Sequence, residues 1–155
     1  MSKLSSSNYR ERLWPSPGLM IALLLLLPAV YMVITPIQAS LAIPIAIGVY
    51  LLIAGSLVLM SPVVQISDGV FSAGSAKIPV SALGEVELLD DAGLRRAIGP
   101  GADARAYLLV RGFIHRGIRV EVTDEADPTP YWILTTRRPQ QLAAAIKQAN
   151  AAAKA

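Results

Sequence analysis

The chain has 155 residues, 54% of them hydrophobic and 16% charged, with a formal net charge of +3 and no cysteine. A soluble domain averages about 25% charged residues, so at least part of this chain does not belong to that class. Lack of cysteine excludes disulfides, iron–sulfur clusters and thiol catalysis, and a net charge this small gives no reason to expect nucleic acid as a partner.

Residues 1–17 carry Lys3, Arg10 and Arg12 against Glu11 and form an N-terminal juxtamembrane segment. Beyond Arg12 no residue is charged or histidine until Asp68. Two apolar runs occupy residues 18–34 and 41–60, separated by Thr-Pro-Ile-Gln-Ala-Ser at 35–40. A helix crossing a bilayer core needs roughly 17–25 residues, so residues 18–60 read as a two-helix transmembrane hairpin. Pro28 and Pro44 fall inside the runs, where each removes a backbone donor and kinks its helix. A six-residue link cannot cross the bilayer, so the helices run antiparallel and both termini share one side. Cations before the first run and none in the link place that side in the cytoplasm. Tyr9 and Trp14 sit where an interfacial aromatic belt is expected.

A cleaved signal peptide, with residues 23–27 as its apolar core and Gln38-Ala-Ser as a weak cleavage site, is the competing reading. Residue 38 is late for cleavage, and the second run would still anchor the product. The runs contain no ionisable side chain, which suits an anchor better than a transport path. Ala42 and Ala46 have the small-xxx-small spacing of packed membrane helices, although small residues are also ordinary in a leucine-rich run.

Residues 61–155 read as one soluble domain, with eleven Lys/Arg against ten Asp/Glu. Val64 to Ser67 alternates, Asp68-Gly69 makes a tight turn, and residues 70–73 return as the second strand of a hairpin. Residues 77–79 read as a short edge strand and 85–88 as another alternating strand. Residues 90–104 read as a loop with one helical turn near 94–98. Residues 106–111 and 118–123 are expected to pair as a hairpin, with Leu108 and Val110 facing the core. Residues 124–130 form an acidic proline loop, and Tyr131 to Thr135 a strand apolar on both faces. Pro139 opens a helix whose stripe is Leu142, Ala145, Ile146 and Ala149, frayed over 151–155. The fold class is therefore an α+β membrane protein. Its helical hairpin precedes a small antiparallel sheet or open barrel closed by an amphipathic C-terminal helix, as in pleckstrin-homology-like domains.

Several motifs recur together: Tyr-Arg-Glu-Arg-Leu-Trp-Pro at 9–15, residues 64–69, Arg-Gly-Ile-Arg-Val at 116–120, Asp-Pro-Thr-Pro-Tyr-Trp at 127–132, and Thr-Arg-Arg-Pro at 136–139 followed by Leu142. Taken in order over nearly the whole chain, they resemble an actinobacterial family of small membrane proteins catalogued as domain of unknown function 3093. The resemblance implies an actinobacterial plasma membrane and no particular activity.

Three groups are candidate binding residues. Arg10, Arg12 and Trp14 precede the first apolar run, where cations attract anionic head groups by about 1 kcal/mol each; they equally suit a plain topology anchor. Arg111, His115, Arg116 and Arg119 would share one surface of the expected hairpin, suited to an anion or lipid phosphate, or simply be solvated and paired with Glu121. Arg137 and Arg138 follow the proline loop at a helix start, where the helix dipole disfavours cations; a recognition surface is one reading and a proline-fixed loop the other.

No phosphate-binding glycine loop, nucleophile elbow or His-Glu-x-x-His motif occurs, and a single histidine cannot build a multi-histidine metal site. The expectation is a non-enzymatic module without cofactor or metal, anchored in the lipid bilayer. It would bind a protein partner or anionic lipid head groups at the cytoplasmic face. The alternative is an accessory subunit of a larger membrane transport complex. A weaker third reading is a hydrolase using Asp127 and His115.

Overall fold

A computed structural model describes residues 8–155; Lys3 lies outside the described residues. The chain divides into two compact units, Trp14–Ser61 and an α+β unit built from the chain up to Leu13 together with Pro62–Ala155.

In the apolar unit, helix α1 (Pro17–Leu23) starts at Ser16, whose hydroxyl accepts from Leu19 N at 3.2 Å, with Pro17 at its first position. Pro28 does not sit mid-helix as expected. It lies in the first turn of α2 (Leu26–Leu59) and explains the break before it. Pro28 has no N–H to offer the Leu24 carbonyl, which accepts from Leu27 N instead at 3.1 Å, tightening the backbone between α1 and α2. Residues 35–40, expected as a link, are helical except at Gln38, whose φ of −157° and ψ of 97° leave the helical region. Pro36 and Pro44 lie inside α2.

Thr35 and Ser56 hydroxyls donate to the Tyr31 and Leu52 carbonyls at 2.6 and 2.7 Å, so both are satisfied within the helix. Ala42 and Ala46 are its buried residues. The stretch Pro17–Leu59 is long and apolar enough to cross a membrane.

The α+β unit holds two four-stranded sheets. The first has the order β1 (Tyr9–Arg12), β2 (Val63–Ser67), β3 (Val70–Ala73), β4 (Ala76–Pro79), all antiparallel. Here the N-terminal segment, for which no strand was expected, supplies one. Arg12 pairs with Val63, and Leu13 N donates to Pro62 O at 2.9 Å. The β2–β3 turn is the expected Asp68-Gly69, with φ of 52° and 74° as a twist-matched two-residue turn requires.

The second sheet has the order β5 (Leu83–Leu89), β7 (Gly117–Val122), β8 (Tyr131–Thr135), β6 (Tyr107–Leu109). The expected hairpin of 106–111 with 118–123 does not form: β6 pairs in parallel with β8, and β7 pairs antiparallel with both β5 and β8. The connection between β6 and β7 buries Ile114 in the core instead of turning tightly. The inward residues of β6 are Tyr107 and Leu109, and Leu108 is exposed, the reverse of the expected alternation. Gly117 lies against β8 so closely that a Cβ would come within 2.1 Å of the Leu134 carbonyl oxygen.

The main core gathers residues of both sheets, with Phe71 and Tyr107 tilted against Trp132 at 5.6 and 4.7 Å between ring centres. Helix α4 (Pro139–Lys154) adds Leu142, Ala143 and Ile146. It continues through Lys154, past the point where fraying was expected. Asn150 donates to the Val80 and Leu83 carbonyls at 3.0 and 2.6 Å. On the other face of the second sheet, Leu94 of α3 (Asp91–Ile98) packs on Leu89, Tyr131 and Ile133. That second cluster is why β8 is apolar on both faces. Helix α3 extends the expected helical turn at 94–98 back to Asp91, where Asp90 caps it, accepting from Gly93 N at 2.6 Å.

Candidate functional site

The β6–β7 connection and the β8–α4 junction are tied together by backbone and hydroxyl groups. Arg111 N donates to Thr135 Oγ1 at 3.0 Å, and Thr136 N to the Arg116 carbonyl at 3.1 Å. The Arg137 guanidinium lies over the Phe113 ring, 5.8 Å from its centre. Arg111, His115, Arg116, Arg137 and Arg138, two separate groups in the sequence, therefore occupy one end of the α+β unit.

Strand β1 joins this end through Glu11, which the sequence reading passed over. Its carboxylate accepts from the Tyr9 hydroxyl at 2.8 Å, from Arg137 N at 3.0 Å and from the Thr136 hydroxyl. Thr136 Oγ1, fully buried, accepts in turn from Arg138 N at 3.0 Å. Burial first, and then the bonded Glu11 carboxylate, push the Tyr9 phenol well above the usual tyrosine range. A signal was present: read as a strand, Tyr-Arg-Glu-Arg puts Tyr9 and Glu11 on one face and Arg10 and Arg12 on the other. Arg10 is exposed and Arg12 half-buried. Trp14 belongs to the apolar unit and is half exposed.

Beside the basic end is an open cleft of about 610 Å³, lined by β5, the start of α3, residues 115–116 and the start of α4. Asp91 pairs with Arg95 at 3.1 Å and with His115 Nδ1 at 3.7 Å. Asp90 is engaged as the α3 cap. Arg96 and Arg116 also line the cleft, and among the described residues neither has a carboxylate within ion-pair distance. Arg96, in the turn read as helical near 94–98, was not among the expected site residues.

Arg119 departs from the expected cluster. It stacks over Tyr131, 4.2 Å from the ring centre, in a small pocket shared with Glu85, Glu87 and Glu121. Its Nε is buried with no hydrogen-bond acceptor among the described residues. Three carboxylates around one guanidinium do not make an anion site. Asp127 lies in the loop after β7, accepting from Thr129 N at 2.8 Å, whereas His115 precedes β7. The strand between them, roughly 20 Å long, keeps the two residues of the hydrolase reading apart. The cleft lining offers three carboxylates, two guanidiniums, an imidazole and an amide. Among the described residues no group of three or more His, Asp or Glu is placed to hold a metal ion.

No curated protein and no solved structure matches the chain. A family model does, over residues 8–146, from strand β1 to Ile146 of α4. The chain belongs to that family, described as a protein of unknown function, DUF3093.

Proposed function

We propose that this protein is a non-enzymatic, membrane-anchored interaction module. Residues 18–60 cross the plasma membrane as two antiparallel spans that turn near Gln38. Both termini lie in the cytoplasm, and the α+β unit meets a partner or the anionic membrane surface through its basic end. The carrying observation is the hydrogen bond from Leu13 N to Pro62 O at 2.9 Å. The apolar segment is an insertion between two paired strands of one sheet. A straight helix over its 43 residues would hold its ends roughly 65 Å apart, so a chain that leaves at Leu13 and re-enters at Pro62 has to come back.

Two further features support the return. Leu27, Pro28 and Tyr31 line one cleft with Ile43, Ala46 and Ile47, and Ala42 and Ala46 are buried where small residues allow close helix approach. The two sheets sharing a core with one C-terminal helix support the pleckstrin-homology-like reading, from which the parallel β6–β8 pair departs. The actinobacterial setting rests on the sequence resemblance alone.

Because the chain has no cysteine, single cysteines report topology cleanly. Gln38→Cys is expected to react with a membrane-impermeant maleimide in intact cells, and Ala155→Cys only after permeabilisation. Labelling of Ala155→Cys from outside intact cells would overturn the topology. A stoichiometric membrane partner retained in mild detergent would move the protein to the accessory-subunit reading.

A further inference from the structure

We propose that the cleft between α3, residues 115–116 and the start of α4 binds a phosphate group, held by Arg96 and Arg116. The inference starts from which charges are already engaged. Of the three carboxylates in the lining, Asp90 caps α3, and Asp91 is paired with Arg95 and His115. Glu87 stands opposite Arg119 in the β5–β7 register and lines a second pocket with it, although among the described residues the two make no ion pair. The Arg96 guanidinium uses one donor, Nε to the Ala92 carbonyl at 3.3 Å. Its remaining donors and those of Arg116 have no carboxylate among the described residues.

Both arginines are exposed at the cleft, and guanidinium forks match phosphate oxygens bidentately. Gln140 contributes an amide from α4, whose N-cap position, Arg138, makes no side-chain cap bond, so the uncapped first turn adds a weak positive potential. Asp91 holds His115 beside the same cleft, with Nδ1 at 3.7 Å.

The ligand chemistry is a phosphate monoester or diester, and two sources present it: a phospholipid head group or a soluble phosphate compound. The cleft adjoins Arg137 and Arg138, and Arg137 N is bound by Glu11, three residues before the apolar unit begins at Trp14. The lipid source rests on the membrane reading above; the soluble source does not.

The test uses the full chain and two probes. Inorganic phosphate is titrated into detergent-solubilised protein, followed by calorimetry. Separately, hydrogen exchange over residues 112–117 and 139–142 is compared in nanodiscs of phosphatidylcholine alone and with 30% phosphatidylglycerol. The proposal expects binding or protection with at least one probe. It also expects the effect to weaken about tenfold or more in Arg96→Gln/Arg116→Gln, as loss of charge-assisted bonds predicts, and to persist in Lys147→Gln, an exposed cation of α4 outside the cleft. Response to phosphate identifies a soluble ligand, and response to anionic nanodiscs alone identifies the head group. Absence of both responses, or equal responses in the double variant and the parent, would overturn the site. Gln38→Cys labelling reads the topology separately, so either reading can fail without the other.

Discussion

The two units of this chain put their apolar side chains in opposite places. In the α+β unit Val64, Phe71, Ile118, Val120, Ile133 and Leu134 are essentially inaccessible to solvent. In the apolar unit the large side chains point outward: of the exposed large hydrophobic residues, all but Leu88 and Leu108 lie between Trp14 and Met60. The first unit buries its large apolar side chains, while the second exposes many of its own. A soluble protein rarely exposes more than a few hundred Å² of contiguous apolar surface, and this pattern supports the membrane setting proposed above. Strand β1, which precedes the apolar unit in the chain, is polar by contrast. Glu11 gathers a phenol, a hydroxyl and a backbone N–H just before the chain enters the apolar segment.

That contrast can be broken or sharpened by substitution, beginning with the core. Phe71→Ala removes a fully buried ring packed on Trp132 and is expected to cost about 3–5 kcal/mol of the α+β unit's stability, read by chemical denaturation in detergent. Glu11→Ala strips three donors of their acceptor, one of them on buried Thr136, and is expected to cost about 1–3 kcal/mol.

Tyr9→Phe has a smaller effect with a pH signature. The folded state holds the Tyr9 phenol protonated above its usual range, so its contribution is fully present below the unfolded value near pH 10. Stability is lost as pH rises from there toward the raised folded value. The parent is therefore expected to lose stability above about pH 10 more steeply than Tyr9→Phe, in a denaturation series from pH 8 to 11. Leu52→Ala, at a side chain 71% exposed in α2, is expected to leave the α+β unit's denaturation midpoint within about 0.5 kcal/mol of the parent. A large loss there would mean that the two units share a core.

How much of this was legible in the sequence follows from the range of the forces involved. The uncharged stretch, the Asp68-Gly69 turn, the two-faced strand at 131–135 and the α4 stripe are set by local composition and periodicity, and each appears where expected. Strand β1 was missed because its partner lies some fifty residues away, across the apolar segment. The parallel β6–β8 pair was missed because adjacency in sequence favours a hairpin, while burial of Ile114 and the demand of β8 for neighbours on both sides decide otherwise. The start of helix α3 was obscured by Gly93, though its Asp90 cap was there to be read. For the site, the basic residues at 111–116 and 137–138 were named as two groups, and only the fold joins them. Arg119 left the group because its strand runs away from the basic end, carrying it among the glutamates of β5 and β7.

The central claim is that the apolar segment goes out and comes back. Paired spin labels at Leu27→Cys and Ile47→Cys, in nanodiscs and measured by pulsed electron resonance, test it most directly. Twenty residues of one straight helix would separate those positions by about 30 Å along its axis. A return at Gln38 predicts a distance distribution centred well below that value, because both residues line the same cleft. A distribution centred at about 30 Å would contradict it.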